Sequence, residues 1–570
     1  MCGISGIIGH LKCDKNIQKM TSVLKHRGSD DVGHYLDMDI ALGHNRLAII
    51  DLNIDANQPF QSNNDAYVLV FNGEIYNYKE IRSKLKGLGH NFTTNSDTEV
   101  LLKAYLEWNE HCLNKLKGMF SFAVWDKKNQ TLFAARDRFG VKPFYYYVDK
   151  KNLIFSSEIK GIQVLVNTSL NETTLANYLM YGSYGYPHQT FFKGIEQLPG
   201  GHFFKFQNGS IDVSKWYDFA GRVKLKIEEN ESIQINSVRE KYTELLETSL
   251  KLRFRADVPI GFTLSGGVDS SLLIALINQR EDASKLKAFT FYTNNSNYDE
   301  LPWVKDLVKD TQTKLHSILF EPDDFNYWHK KITAIQDEPY GGIPTLAYAK
   351  LISKMREHGI KAILDGQGMD EAWAGYDYYQ TESDQIIQGQ SNSNASPFKT
   401  NVLSMEFMQL GKKPEYIKPF EEKLLNKQYR DLFYTKIPRV LRFNDRVSMA
   451  STTELREPFL DFEMVEFAFS LPRKYKIKNG TGKYFLRQLL SDYTKKLAFA
   501  PKRPLQTPQR EWLGHELLPH VENAIEKIRY SHLSSCFNFI NLIEEWNNYK
   551  KGNQNSSFHV WQWVSISELI

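Results

Sequence analysis

Val258-Pro259-Ile260-Gly261-Phe262-Thr263-Leu264 is an apolar run that passes directly into Ser265-Gly266-Gly267-Val268-Asp269-Ser270-Ser271. The first seven residues read as a buried strand, the glycine pair as a tight turn, and the chain from about Ser270 as a helix. Glycines let the backbone turn so that successive N–H groups and the positive end of the helix face one point, where phosphate oxygens bind. No Gly-Lys-Ser/Thr follows, so this is not the Walker A form of a phosphate loop. Asp269 adds a carboxylate suited to magnesium, and three serines add hydroxyl donors.

Outward from this loop, Leu286–Tyr292, Leu315–Phe320 and Ala362–Leu364 are further strand candidates alternating with helical stretches. That alternation predicts a parallel, doubly wound sheet with ligands at the C-terminal ends of its strands. Ala362–Leu364 leads into Asp365-Gly366-Gln367-Gly368-Met369-Asp370-Glu371, a second turn rich in carboxylates. Ser237 with Glu240 reads as a capping box that opens a helix through Val238, Tyr242, Leu245 and Ser249. The remainder reads as mostly helical, with Gly389–Pro397 as a polar loop.

Residues 1–210 have a different pattern. Tyr67–Phe71, Phe120–Trp125, Thr131–Arg136, Phe144–Val148 and Leu153–Ser157 read as short strands broken by turns. Ser96 with Glu99 forms a second capping box, after which Leu101, Ala104, Tyr105 and Trp108 fall on one helical face. Serial strands with few helices predict a sheet-rich sandwich covered by helices. Residues 211–235 are polar and irregular and read as a connection to a second domain, 236–570.

At 570 residues the chain exceeds one core, since a domain takes ~100–200. Hydrophobic residues at 42% exclude a mostly disordered chain. A net charge of +4 calls for neither a nucleic-acid nor a membrane-surface partner. No apolar run approaches the ~18 residues of a membrane span, and the N-terminus lacks a signal-peptide pattern. The four cysteines (Cys2, Cys13, Cys112 and Cys536) make neither a disulfide framework nor a zinc pair, so a reducing cytoplasm is expected.

In that setting Cys2 stands out. Removal of Met1 would give one residue both a thiol nucleophile and an α-amine with pKa near ~7.7–8.0 that accepts its proton. Arg46, in Gly43-His44-Asn45-Arg46-Leu47, suits a bidentate grip on a carboxylate. Asn72-Gly73-Glu74, at a strand end, sets a side-chain amide beside a backbone N–H, which suits an oxyanion. Asp97, at the start of the capped helix, suits a substrate ammonium. Singly these read equally well as a turn, a surface ion pair and a helix-end charge; their joint presence favours a site.

MCGISG, GHNRLAIID, FNGEIYNY and SDTEVLL, in this order over the first hundred residues, resemble the N-terminal-nucleophile glutaminase domain of class II glutamine amidotransferases. The resemblance implies an αββα sandwich in which Cys2 attacks the glutamine amide and releases ammonia through a glutamyl thioester. Asn72 and Gly73 would form the oxyanion hole. Arg46 would bind the α-carboxylate, Glu74 and Asp97 would lie near the α-amine, and backbone around Leu47, Ile49 and Ile50 would hold glutamine.

The loop at 265–271 resembles the PP-loop of ATP pyrophosphatases, and LDGQGMDE, ELREPFLD and GKYFLR match that domain's later motifs. This implies an ATP site built from Thr263, Leu264, Ser265, Gly266, Gly267, Val268, Asp269, Ser270, Phe291, Asp365 and Gly366. Asp269 and Asp370 would hold magnesium, and Lys483 would be the catalytic lysine. Over nearly its whole length the chain resembles the glutamine-hydrolysing asparagine synthetase family. An α+β nucleophile sandwich is therefore expected, followed by an α/β doubly wound synthetase domain with a helical C-terminal part. The substrates would be glutamine, ATP and aspartate, and the family suggests a homodimer.

Three positions depart from the family pattern. Asp365-Gly366-Gln367-Gly368 replaces Ser-Gly-Glu-Gly, so Gln367, at a catalytic position, cannot inherit an acid–base role. Asp337–Pro344 differs from the loop that grips aspartate, and Arg456-Glu457-Pro458 replaces Arg-Val-Pro. Two further readings accompany aspartate amidation: amidation of another carboxylate, such as a uronic acid of a surface polysaccharide, and a non-catalytic protein that kept the fold. Intact Cys2, Asp269, Asp370 and Lys483 argue against the last.

Overall fold

The computed structural model describes residues 2–278, 287–309, 313–381, 396–493, 498–499, 507–552 and 556–570. Residues 389–395 of the expected polar loop lie outside this set. No helix among the described residues is long and apolar enough to cross a membrane.

The N-terminal part is a sandwich of two antiparallel sheets. One contains β1 (Gly3–Gly9), β2 (Asp31–Leu36), β3 (Ile40–Arg46), β8 (Tyr145–Val148), β9 (Asn152–Ser156) and β10 (Ile195–Gln197), in the order β10-β8-β9-β1-β3-β2. The other contains β4 (Phe60–Gln61), β5 (Tyr67–Ile75), β6 (Gly118–Asp126), β7 (Thr131–Arg136), β11 (His202–Gln207) and β12 (Ser210–Lys215), in the order β12-β11-β7-β6-β5-β4. Helices α1 (Asp14–Val23) and α4 (Ile159–Gln163) cover the first sheet, and α2 (Tyr78–Gly87) and α3 (Asp97–Trp108) the second.

Strand alternation sorts the apolar residues into these layers. Val68 and Val70 of β5 join Ile4, Leu42, Trp125 and Phe155 between the sheets, while Leu69 and Phe71 face α2 and α3. Ile7 and Ile154 face α1 and α4. The expected helix at Ser96 is present, but its capping box forms only by half. Ser96 accepts from Thr98 N at 2.9 Å, whereas Glu99 turns back to the amides of Thr93 and Thr94.

Residues 211–235, expected as an irregular connection, are ordered structure. β12 continues the second sheet, and α6 (Phe219–Asn230) buries Phe219, Ala220 and Val223 against the second domain. The charged residues of α6 hide that apolar stripe in the sequence; the buried Glu466 carboxylate draws in Arg222 (2.5 Å), Lys226 (2.6 Å) and the Tyr217 hydroxyl (2.9 Å). Helix α7 (Ile235–Arg253) starts two residues before Ser237, without a side-chain cap. Ile233 and Ile235 pack on the core, and Tyr475 donates to the Ile233 carbonyl, so tertiary contact sets that end rather than local capping.

The second domain is organised by five parallel strands: β13 (Ile260–Thr263), β14 (Lys287–Tyr292), β15 (Lys314–Leu319), β16 (Ala362–Leu364) and β17 (Glu454–Arg456). Their order, β15-β14-β13-β16-β17, reverses at β13, so the switch-point crevice opens between the ends of β13 and β16. Phe262, Ala288 and Leu364 enter one core, Phe289, Ile363 and Leu455 the other, and helices cover both faces. Helix α8 (Val268–Asn278) follows β13 through the glycine turn.

Gly6 is tightly constrained, because a Cβ there would stand 2.1 Å from the ring of Phe155. That ring is fully buried and has no room to yield. Gly6→Ala is expected to lower stability by about 1–3 kcal/mol through overpacking, read as a fall in the denaturant midpoint at unchanged slope.

Candidate active sites

Cys2 lies just before β1, buried at the open end of the sandwich. Asn72 and Glu74 continue the row Val68–Val70 on β5, so alternation points both across the sandwich toward it. The Cys2 backbone N donates to Asn72 Oδ1 at 3.0 Å, and Cys2 Sγ lies 3.9 Å from the Leu47 carbonyl oxygen. Asn72 Nδ2, on the side chain that accepts from the Cys2 N–H, is buried with no partner among the described residues. Gly73 is fixed by crowding, since a Cβ would stand 2.2 Å from the Met119 carbonyl oxygen. Burial pushes the Cys2 thiol up.

Ile49 and Ile50 line this end of the fold with Leu47, all buried. The Arg46 guanidinium braces the adjoining loop, donating to the carbonyls of Asp51 and Asn53 and to Asn57 Oδ1. Asp97 accepts from Ile75 N at 2.9 Å, and burial raises it to about 6. Glu74 is likewise raised by burial and by Glu454 and Asp97, against the opposing pull of Arg456 3.7 Å away.

Glu454 and Arg456 belong to the second domain, yet they reach this site. Arg456 is fully buried; it pairs with Glu454 at 2.5 Å and donates to the carbonyls of Arg253 (2.6 Å) and Arg255 (2.8 Å). Lys142 of the first domain reaches the Leu455 carbonyl at 3.4 Å. Sequence reasoning had assigned ELREPFLD to the second domain alone. No local signal betrays a strand whose side chains serve a neighbouring domain.

The second site is a cleft of about 760 Å³ at the switch point. Thr263 to Ser270, Phe291, Asp365, Gly366, Gln367, Asp370 and Lys483 all line it. Asp365 is locked by Thr263 Oγ1 (3.0 Å), Tyr348 OH (3.0 Å) and its neighbour's amide, Gly366 N (2.8 Å). Gly266 N donates to the Glu300 carboxylate at 3.3 Å, an anion on the loop's N–H groups. Lys483 Nζ lies 2.6 Å from Asp269 and 2.7 Å from Asp370. Burial would discharge this lysine, but the two carboxylates outweigh burial and raise it.

Among the described residues no group of three or more potential ligands forms a metal cage. Two carboxylates converging on one cation fit magnesium that takes its remaining ligands from phosphates and water. Sequence reasoning had not singled out Glu371, buried in the same cleft and pushed to about 7 by burial and by Asp370, or Tyr376, whose hydroxyl donates to it at 2.8 Å.

The two-sheet sandwich with Cys2 at the start of β1 is thus joined to a parallel-sheet domain whose cleft opens at the switch point. A glutamine amidotransferase domain model matches residues 1–217, and an asparagine synthase model matches residues 241–570. The chain belongs to the asparagine synthase family. It is 28% identical over 527 residues to "Asparagine synthetase [glutamine-hydrolyzing] 3" of Bacillus subtilis, covering 86% of this chain and 84% of that protein. It is 34% identical over 403 residues to "Putative asparagine synthetase [glutamine-hydrolyzing] 2" of Methanocaldococcus jannaschii, covering 66% and 76%. "Amidase chyE" of Penicillium rubens is 26% identical over 630 residues, covering 92% of each chain.

Gly375 supports the Lys483 ion pairs by lacking a side chain: a Cβ would stand 1.8 Å from Asp370 Oδ1 and 2.4 Å from Lys483 Cε. Gly375→Ala is expected to cut ATP-dependent pyrophosphate release by about 100-fold, the scale of an ångström-level misplacement. A coupled pyrophosphate assay reads it, with unchanged glutamine hydrolysis as the control.

Proposed function

We propose that this chain transfers the amide nitrogen of glutamine to a carboxylate activated by ATP. The acceptor is L-aspartate, and the products are asparagine, glutamate, AMP and pyrophosphate. The observation that carries this reading is β17. The Arg456 side chain of this strand reaches Glu74, beside Cys2 on the first domain, at 3.7 Å, and its carbonyl accepts the Asp365 amide at 3.0 Å. Three residues of strand span about 10 Å, so a single short element touches both sites.

With Met1 removed, the Cys2 α-amine accepts the thiol proton and sulfur attacks the amide carbon of glutamine. The C–N bond breaks, ammonia leaves with that proton, and water hydrolyses the thioester to glutamate. Asn72 Nδ2 and the Gly73 N–H hold the oxyanion. Arg46 takes the α-carboxylate, Leu47, Ile49 and Ile50 present backbone to glutamine, and Glu74 and Asp97 receive its ammonium.

In the cleft, an acceptor carboxylate oxygen attacks the α-phosphorus of ATP and pyrophosphate leaves. The amides of residues 265–270 hold the phosphates, Asp365 and Phe291 flank the nucleotide, and Lys483 offsets charge growing on the α-phosphate. Asp269 and Asp370 would hold magnesium, which when bound would supply further positive charge there. Ammonia attacks the acyl carbon, the bond to AMP breaks, and the amide remains. An internal route keeps the nitrogen from becoming unreactive ammonium in water. Gln367 presents hydrogen bonds to the acceptor and no acid–base function.

A larger acid as acceptor is favoured by the far wall of the cleft. Tyr184, Tyr340, Phe443, Phe558 and Trp561 line it, with Arg439 over the Tyr184 ring at 5.7 Å. Rings and a guanidinium suit the face and charge of a sugar acid better than they suit aspartate.

The deciding experiment supplies glutamine, magnesium and ATP with either aspartate or nucleotide-linked uronic acids, and follows amide formation by mass spectrometry. Asparagine formed with stoichiometric pyrophosphate supports the first reading, and an amidated sugar acid the second; neither product with any acceptor removes both. In the same assay Cys2→Ala is expected to abolish glutamine-dependent product while added ammonia still supports synthesis. Asp97 gives a pH test. Its carboxyl is raised to about 6, so the charged form that holds ammonium is lost as pH falls through that value. The KM for glutamine should rise about fivefold between pH 6 and pH 5, and Asp97→Asn should be high and flat across that range.

A further inference from the structure

A buried row of charges joins the Cys2 site to the acceptor loop at residues 337–342, and none of the chemistry above uses it. It begins at Arg27, whose Nε donates to the Cys2 carbonyl at 3.0 Å. Arg27 also grips Asp445 at 2.8 and 3.2 Å, and pairs with Glu158 at 2.8 Å. Glu158 is fully buried and receives Arg446 (2.8 Å) and His26 (2.9 Å) on the same oxygen. Burial, then Lys160, Arg27 and Arg446, hold His26 down at about 2, so its neutral ring donates to that carboxylate.

Lys160 closes the row. Its Nζ lies 2.6 Å from the other Glu158 oxygen and 2.7 Å from Asp337, and it donates to the Ile335 carbonyl at 3.0 Å. Asp337 ends the helix Phe325–Gln336 in a left-handed conformation, φ 62°. Of the next residues, Glu338 pairs with Arg442 at 2.5 Å behind the cleft, and Tyr340, Gly341 and Gly342 line the cleft itself. Three cations (Arg27, Lys160, Arg446) thus meet three carboxylates (Glu158, Asp337, Asp445). Buried pairs of this kind fix geometry more than they add stability, because any displaced charge is left unpaired in a dry place. A shift of the Cys2 backbone therefore cannot be absorbed locally.

We propose that Lys160 is a positioning residue that links the Cys2 backbone to the acceptor loop, so that acylation of Cys2 alters the loop at 337–342. This rests on the reading of Cys2 as the glutaminase nucleophile. The full chain is treated with 6-diazo-5-oxo-L-norleucine, a glutamine analogue that alkylates such a thiol. Mass spectrometry confirms the modification of Cys2, and hydrogen–deuterium exchange is followed in residues 335–344 with and without it.

In the wild type and in Lys160→Arg, modification should change exchange in that segment several-fold; in Lys160→Met the change should vanish. A purely structural lysine would shift both states alike, so the difference between modified and unmodified protein is the readout. Should Lys160→Met fail to fold, the charge-balanced pair Lys160→Met with Asp337→Asn carries the same expectation. A loop insensitive to Cys2 modification in the wild type overturns the proposal, as does a response that survives in either Lys160→Met form. If Cys2 is not alkylated, the glutaminase reading itself fails and the proposal falls with it.

Discussion

Both domains depend on one buried guanidinium. Arg456 has no solvent contact and therefore lacks the hydration that normally supports its charge. Its partners come from three directions: Glu454 on its own strand, Glu74 on β5 of the first domain, and the carbonyls of Arg253 and Arg255 at the end of α7. The Arg253 carbonyl ends α7 and carries the negative end of its dipole, which a planar five-donor cation neutralises while reaching the Arg255 carbonyl beyond it. With the side chain held in this way, the Arg456 backbone is free to pair with β16 and to accept the Asp365 amide. Arg456 therefore ties the switch-point crevice to the Cys2 pocket, alongside the row of charges through Arg27, Glu158 and Lys160.

Crowding complements charge in setting both sites. Gly73 exists because the Met119 carbonyl occupies the space of a side chain, and Gly368 because Leu460 does: a Cβ there would stand 2.5 Å from its side chain, at φ 102°. Each glycine lets one backbone approach another closely enough to present an N–H or a turn to a ligand. Asn72 Nδ2 and both side-chain polar atoms of Asn45, on the strands beside Cys2, are buried without a hydrogen-bond partner among the described residues, as they would be where a polar ligand satisfies them. A buried donor without an acceptor costs stability, and sites that bind polar groups are where such a cost is tolerated.

The parts legible in the sequence were those whose signal is local. β5, β6 and β7 are runs of apolar residues ended by turns, and β13 and β16 run into glycines, so both phosphate-side turns were placed correctly on strand ends. The residues expected at an ATP site line one cleft for the same reason, because a doubly wound sheet gathers its strand ends at one edge. β1 and β3 were not recognised as strands, since Gly3, Gly6, Gly43, His44 and Asn45 break any apolar alternation. β12 and α6 were masked by their charges. Arg46 donates to the carbonyls of Asp51 and Asn53, a loop contact that depends on those carbonyls folding back toward it and that no local sequence pattern signals.

The neutral Gln367 has an electrostatic rationale. The turn it occupies already carries Asp365 and Asp370, with Glu371 adjacent and Asp269 across the cleft, and Lys483 is the cation bound to two of them. Glu371 is pushed to about 7, and Glu457, on the segment behind the turn, also to about 7, by burial first and then, against Lys142, by Asp365. A carboxylate at position 367 would add one more like charge beside Glu371, which burial and Asp370 already hold toward its neutral form. An amide keeps the hydrogen-bonding reach of glutamate without that repulsion. The departure at Gln367 and the unusual Glu457 are thus two sides of one charge balance: one carboxylate is absent from the turn, and another stands behind it.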